Sequence, residues 1–215
     1  MIIESRHNGP PGSGNGGWSA GVFATAADGP GPVEVTLRRP PPLETPLTLS
    51  GGEVHDRDGT LVAQVRPVPE FRSVVPPVDL ATARAATAAY PGLVDHPFPG
   101  CYVCGPDRAD GLRIFPGRLP DGRTAAPFTV PAPVTGPLVW AALDCPGGWA
   151  VIAPGRPYVL GRIAAVVADL PAAGDECVVT AAMVGGEGRK ADVHTSLYAP
   201  DGALLAWARA TWIAV

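Results

Sequence analysis

The sequence predicts an α+β protein, a tandem arrangement in which two antiparallel sheets are each wrapped around a central helix. Its 27 glycines and 27 prolines lie between short apolar segments, which is typical of many short strands joined by tight turns. A helix followed by several strand-like segments occurs twice along the chain. The second of these helices is apolar on every side, so other structure should enclose it.

The first half is expected to span residues 1–75. A glycine-rich segment at residues 12–17 leads into a short apolar helix over residues 17–26. The strand-like segments that follow are rich in apolar residues and are separated by Pro, Gly and Asp; they cover residues 33–38, 47–49 and 60–68. We therefore expect one helix and three strands here.

A connector, residues 76–111, separates the halves. Its alanine-rich stretch at residues 79–90 predicts a helix that Asp79 caps and Pro91 ends, because an aspartate accepts hydrogen bonds from the free N–H groups of a first helical turn.

The second half is expected to span residues 112–215, with its helix beginning at Gly136. Six candidate strands accompany this helix, at residues 112–115, 125–130, 158–170, 177–184, 191–198 and 204–215. The sequence Ala-Pro-Asp-Gly at residues 199–202 predicts a hairpin turn between the last two strands. Small residues alternate along the last strand, which favours close packing of one face against a helix.

Charge and composition exclude several classes of protein. The net charge is −4 and basic residues form no block, which argues against nucleic-acid binding. The chain shows neither a signal-peptide pattern nor a long apolar stretch, so we expect a soluble cytoplasmic protein without a membrane partner. Four cysteines in such a chain are expected to be free thiols.

One carboxylate, Asp144, interrupts the apolar stretch at residues 135–149. An unpaired buried carboxylate is costly, so such a group either finds partners or takes part in chemistry. Two interpretations stay open: a catalytic group in a sheltered site, or a helix-terminal acid that accepts hydrogen bonds from the nearby backbone at residues 145–148.

Several short motifs resemble those of one family. They are Asn15-Gly16-Gly17 before the first helix, the Cys-x-x-Cys-Gly-Pro of residues 101–106, the Asp-Gly-Leu of residues 110–112, and Gly136 with Leu143-Asp144 on the second helix. Together with the number of strands, they resemble the double hot-dog proteins of the acyl-CoA thioesterase-like family. The resemblance implies hydrolysis of a fatty or aromatic acyl-CoA, without a cofactor.

The resemblance also implies roles for individual residues. Asp144 would act as general base or nucleophile, and the N–H of Gly136 would polarise the thioester carbonyl. The first helix has no acid at the matching position, so only one of two related sites would carry a carboxylate, and Asn15 would be its polar partner from the other half. Pro137 departs from the family's His-Gly-Gly turn and contributes no N–H.

Further residues are predicted to contact the acyl-CoA substrate. They lie at the start of the first helix, on the second helix and on a late strand: Gly16, Gly17, Trp18, Trp140, Thr195 and Ser196. His7 and His55 lie in turn-rich segments and are expected to be exposed.

Cys101 and Cys104 form a lone Cys-x-x-Cys pair, which is half of a zinc site. His96 and Cys145 are the candidates to complete it, and a redox pair is another interpretation. The simplest expectation is a buried apolar pair in a turn, with no metal bound.

Two functions other than hydrolysis stay open. Loss of the family's histidine and the alanines of the last strand favour a protein that binds an acyl-CoA or another small hydrophobic ligand without catalysis. A sheet protein that binds a partner is a third possibility, and two copies of the chain could assemble into a homo-oligomer.

Overall fold

The computed structural model describes residues 1–27 and 29–215, and that part of the chain contains three α-helices and ten strands. The helices are α1 (Gly16–Thr25), α2 (Leu80–Ala88) and α3 (Gly136–Trp149). The strands are β1 (Val33–Leu37), β2 (Leu47–Ser50), β3 (Glu53–Asp56), β4 (Leu61–Pro67), β5 (Gly117–Arg118), β6 (Thr124–Thr129), β7 (Tyr158–Val167), β8 (Glu176–Glu187), β9 (Lys190–Tyr198) and β10 (Leu204–Ala214).

All ten strands belong to one antiparallel sheet, in the order β2-β3-β4-β1-β7-β10-β9-β8-β6-β5. The four strands of the N-terminal part therefore lie together on one side, and the six later strands lie on the other. The two groups meet where β1 pairs with β7, with Val35 opposite Ile163.

The two faces of the sheet carry different layers. Thr195 faces Gly147 of α3, whereas the hydroxyl of its neighbour Ser196 accepts the N–H of Val75 at 2.9 Å. Since successive residues of a strand point to opposite faces, α3 and the segment around Val75 cover opposite sides. The core of large side chains, including Phe23, lies between the sheet and the helices α1 and α3.

Helices α1 and α3 run antiparallel to each other at very close range. Gly17 lies against Asp144, and Gly21 lies against Pro137 and Trp140. A Cβ atom built on Gly17 would be 2.4 Å from the Cβ of Asp144, so only glycine permits this approach. None of the helices in the described part of the chain has the length and continuous apolar character needed to span a bilayer.

Most predicted elements form within two or three residues of their expected bounds, including the capped helix α2 and the turn at residues 199–202. The strand predicted at residues 112–115 is wrong. Arg113 has a φ of 54°, which breaks an extended strand, and the N–H groups of Leu112 and Ile114 instead donate to the carbonyls of Tyr102 and Val103. The short strands β3 and β5 were not predicted.

His7 is buried, contrary to the expectation of an exposed residue. Its ring stacks on Trp18 with the ring centroids 3.6 Å apart, and neither ring nitrogen has a hydrogen-bond partner in the described part of the chain. Burial, aided by the positive charges of Arg6 and Arg108, lowers the pKa of His7 to about 4.

This pKa predicts a loss of stability in mild acid. The unfolded chain binds a proton on His7 near pH 6.5 and the folded protein does so only near pH 4, so the folded state is disfavoured as the pH falls below about 6.5. The free energy of unfolding should fall by about 2 kcal/mol between pH 7.5 and pH 5 because of this residue. Urea unfolding at pH 7.5 and at pH 5 measures this change in the free energy of unfolding. His7→Phe, which keeps a ring against Trp18, should lack this contribution, so on going from pH 7.5 to pH 5 its free energy of unfolding should change by about 2 kcal/mol in the stabilising direction relative to the wild type. An equal change in both proteins would contradict the assignment.

Candidate active site

Asn15 caps helix α1 and connects it to α3. Its side-chain oxygen accepts the N–H of Trp18 at 2.8 Å, as expected of an N-cap residue, and its Nδ2 donates to Oδ2 of Asp144 at 3.1 Å. The N–H of Gly17 donates to the same carboxylate oxygen at 2.9 Å. Two donors at the start of one helix thus hold a carboxylate on the other, so the structure places Asn15 and Asp144 in contact.

Asp144 lies in the middle of α3, because the helix continues through Pro146 to Trp149. The interpretation as a helix-terminal acid bound by residues 145–148 is therefore wrong. Its hydrogen bonds come from α1, and its side chain is almost fully buried. The other oxygen, Oδ1, has no hydrogen-bond partner in residues 1–27 and 29–215.

Burial raises the pKa of Asp144 to about 7, since the charged carboxylate loses its hydration. The N–H of Gly17 and the amide of Asn15 act in the opposite direction, and the nearby sulfur of Cys101 raises the pKa further.

A cavity of about 260 Å³ adjoins this carboxylate. Asn15, Gly16 and Asp144 form part of its lining, and five rings form much of the rest: His96, Phe98, Trp149, Tyr158 and Trp212. The indole nitrogen of Trp212 is buried and has no acceptor in the described part of the chain. The cavity lining is thus mostly apolar and includes five rings, and a few polar atoms of its residues lack partners.

The N–H of Gly16 is the free donor at this site. A helix leaves its first N–H groups without intrahelical acceptors. Those of Gly17 and Trp18 are used by Asp144 and Asn15, whereas that of Gly16 has no acceptor among the described residues. Gly16 lines the cavity at the positive end of the α1 dipole, which is where a developing negative charge would be stabilised.

Gly136 lies away from this cavity. Because α1 and α3 run antiparallel, the start of α3 lies against Thr25 at the end of α1. The eight residues between Gly136 and Asp144 correspond to about 12 Å along the helix. The structure therefore does not bring the N–H of Gly136 to the carboxylate.

Five predicted substrate contacts are also outside the cavity lining. Gly17 donates its N–H to Asp144. Trp18 stacks on His7, and Trp140 packs against Gly21. Thr195 faces Gly147, and Ser196 points to the opposite face of the sheet. These residues support the fold around the site rather than line it.

Sequence reasoning missed part of the lining. Arg38 and Arg39 are exposed and line the cavity just after β1. The signal was present in the Arg-Arg-Pro-Pro-Pro stretch at residues 38–42, a pair of cations in a rigid turn. His96, Cys101 and Cys145 also line the cavity, although more than 40 residues separate Cys145 from the other two.

Comparison with family models and with curated proteins finds no match for the sequence. Solved structures do resemble it. A conserved protein of unknown function with a hot-dog fold from Alicyclobacillus acidocaldarius has a TM-score of 0.58 and 14% identity, over 99% of this chain and 90% of that one. This likeness over nearly the whole chain shows that the protein has the hot-dog fold.

Other similar structures match part of the chain. A thioesterase superfamily protein has a TM-score of 0.49 and 18% identity over 54% of this chain, and the match spans 61% of that protein's own length. A hypothetical thioesterase from Streptococcus pneumoniae TIGR4, solved with coenzyme A, has a TM-score of 0.43 and 14% identity over 46% of this chain and 86% of that one.

Proposed function

We propose that this protein hydrolyses an acyl-CoA thioester in the cavity between α1 and α3. The observation that carries the proposal is the pairing of a buried carboxylate with a free helix N-terminus. Asp144 has one oxygen without a partner among the described residues, and Gly16, at the start of α1, offers an unused N–H in the same cavity. Thioester hydrolysis needs a base for water and a donor for the carbonyl oxygen.

The residues would act as follows. Oδ1 of Asp144 takes a proton from a water molecule, whose oxygen attacks the thioester carbonyl carbon. The carbonyl oxygen becomes negative and accepts the N–H of Gly16. The tetrahedral intermediate collapses, the C–S bond breaks, and the leaving CoA sulfur receives the proton from Asp144. The products are the free acid and CoA.

Asn15 is a positioning residue in this scheme. With Gly17 it binds Oδ2 of Asp144, so the carboxylate is held in one orientation and Oδ1 is left without a partner among the described residues. The scheme assigns the oxyanion contact to Gly16 instead of Gly136, because Gly16 lines the cavity and Gly136 does not.

The proposal includes a duplicated hot-dog architecture, with halves at residues 1–75 and 112–215 and a connector at residues 76–111. Its support is that each part supplies one central helix and one contiguous block of the sheet. Ala24 lies eight residues after Gly16, as Asp144 lies eight after Gly136, so the related second site would have no carboxylate. Each chain would therefore have one active site.

The cavity favours a short or aromatic acyl group. Its volume of about 260 Å³ is small beside the roughly 300–1,000 Å³ of typical ligand sites, and its mostly apolar lining includes five rings. Free thiols at all four cysteines support a cytoplasmic location.

The test is release of free CoA from a panel of acetyl-, benzoyl-, phenylacetyl- and palmitoyl-CoA. Turnover is expected with the aromatic and short substrates and is expected to be poor with palmitoyl-CoA. If no thioester is turned over but an acyl-CoA binds at equilibrium, the protein is a ligand-binding hot-dog protein and the proposed hydrolysis is wrong.

Arg39 is expected to contact the phosphates of CoA, because an exposed guanidinium beside the cavity suits a charge-assisted contact. Arg39→Ala should raise KM for acyl-CoA about three- to tenfold, as exposed ion pairs are weak, with little change in kcat. The control Arg57→Ala removes an exposed arginine from the β3–β4 turn and should leave KM unchanged. An N-acetylcysteamine thioester, which lacks phosphate, should show no effect of Arg39→Ala; an equal rise in KM would contradict the assignment.

A further inference from the structure

Three buried thiols meet in the wall of the cavity. Cys101 and Cys104 come from the connector, and Cys145 comes from α3. The sulfurs of Cys101 and Cys145 are 3.9 Å apart, and all three sulfurs lie within 4.8 Å of one another. Cys145 lies more than 40 positions along the chain from the other two cysteines, and yet the three side chains meet. The proposed hydrolysis uses none of them.

A nitrogen ligand lies beside the thiols. Nε2 of His96 is 3.4 Å from the sulfur of Cys104. Along the chain His96, Cys101 and Cys104 form a His-x4-Cys-x2-Cys pattern, and Cys145 comes from a different element. Three sulfurs and one imidazole are a common ligand set of structural zinc.

Two of the six ligand separations match a tetrahedral centre. His96 lies outside the group of ligand atoms that are all within 4.8 Å of one another, so its ring must move closer when the ion binds. A Zn–S bond of about 2.3 Å places two thiolates about 3.8 Å apart, and a Zn–N bond of about 2.0–2.1 Å places nitrogen about 3.5 Å from a sulfur. The sulfurs of Cys101 and Cys145 are 3.9 Å apart, and Nε2 of His96 is 3.4 Å from the sulfur of Cys104. Both distances are close to those expected between two ligand atoms of one tetrahedral zinc ion. A disulfide would require two sulfurs to be about 2.05 Å apart.

N–H groups surround the sulfurs. Nδ2 of Asn15 lies 3.8 Å from the sulfurs of both Cys101 and Cys145. The backbone N–H groups of Val103 and Cys104 also approach the sulfur of Cys101. Donors of this kind stabilise a sulfur that carries negative charge, as a metal-bound thiolate does, and orient it.

We propose that Cys101, Cys104, Cys145 and His96 bind a zinc ion. All four residues line the cavity, which gives the ion a route of entry. The zinc would join the connector to α3 next to Asp144, and so fix the connector against the helix that carries the carboxylate. Four protein ligands make this a closed, structural site. This inference goes beyond the proposed hydrolysis and does not depend on it.

Binding through Nε2 has a consequence for the imidazole. Nδ1 of His96 now accepts the N–H of Phe98 at 2.9 Å. A neutral imidazole that ligates zinc through Nε2 carries its proton on Nδ1. The Phe98 contact is therefore expected to open when the metal binds.

The zinc content of the full-length protein tests the proposal. The purified chain is incubated with excess ZnCl2 and exchanged into metal-free buffer. Its zinc content is then measured by inductively coupled plasma mass spectrometry. About one zinc per chain is expected for the wild type. Cys177→Ala is the matched control, since Cys177 is a buried free cysteine of β8 outside the cluster, and it should retain the zinc. Cys101→Ala and Cys145→Ala should lose most of it.

Cobalt titration of the wild type keeps the test decisive if the cysteine variants fold poorly. Tetrahedral Co²⁺ bound by thiolates should give a sulfur-to-cobalt charge-transfer band and visible d–d bands, and His96→Ala should weaken Co²⁺ binding at least about tenfold. Wild-type protein that binds neither metal while all four thiols react with a thiol reagent after unfolding would overturn the proposal. So would a disulfide within the cluster, or full zinc retention by Cys145→Ala. None of these readouts involves thioester turnover, so the two proposals can fail separately.

Discussion

Replacing Asp144 by asparagine is expected to lower kcat for acyl-CoA hydrolysis at least about a hundredfold, the effect of losing a general base. The amide keeps the shape of the carboxylate, and its oxygen can still accept from Asn15 and Gly17. Its NH2 group would then take the place of the free Oδ1, and an amide cannot accept a proton from water. Only the rate of the chemical step should therefore fall.

The controls separate catalysis from folding. Asp144→Asn should unfold at the same temperature as the wild type or at a higher one, because a buried carboxylate is costly and an amide is less so. Asp58→Asn changes an exposed aspartate in the β3–β4 turn and should leave kcat unchanged. If Asp144→Asn turns over as fast as the wild type, Asp144 is a structural residue and the proposed mechanism is wrong.

Gly17→Ala is expected to have the largest effect on stability, a loss of at least about 2 kcal/mol in the free energy of unfolding. The new methyl group would lie 2.4 Å from the Cβ of Asp144 and 2.7 Å from the backbone oxygen of Trp140. Neither atom belongs to the flexible end of a side chain, so α1 and α3 must move apart. Urea unfolding measures the loss.

Gly136→Ala is the matched control, because it also adds one methyl group to a helix of this pair. The added Cβ would meet only the hydroxyl of Thr25, at an ordinary 3.6 Å. Stability should change by less than about 1 kcal/mol, since the helix preference of alanine is opposed by Pro137, which disfavours helical backbone at the residue before it. Equal losses in the two variants would contradict the close approach at Gly17. Turnover should fall in Gly17→Ala alone, because the same shift moves Asp144 away from Gly16.

Much of the fold could be predicted from local patterns. Glycine and proline spacing, together with apolar periodicity, places all three helices and most strands. β3 was missed because its Glu-Val-His-Asp sequence is short, polar and set between turns. The segment at residues 112–115 was misassigned because its apolar residues pack against the connector, where Arg113 adopts a positive φ.

The carboxylate of the site and its amide partner could be predicted from the sequence, but the donor to the oxyanion could not. An isolated carboxylate in an apolar helix marks Asp144, and the lack of an acid on α1 indicates Asn15 as its partner. Which helix start supplies the oxyanion contact could not be deduced, because that depends on how α1 and α3 pack. Antiparallel packing brings Gly16 to Asp144 and takes Gly136 to the far end.

Residue type and local periodicity were thus enough to predict the α+β class, the enclosed helix and its carboxylate. Which distant groups meet depends on how the chain folds: Gly16 with Asp144, Arg39 with the cavity, and His96 with Cys104. Local patterns specify helices and strands, whereas glycines such as Gly17 and Gly21 determine how closely two helices approach, and that distance decides which side chains share a site.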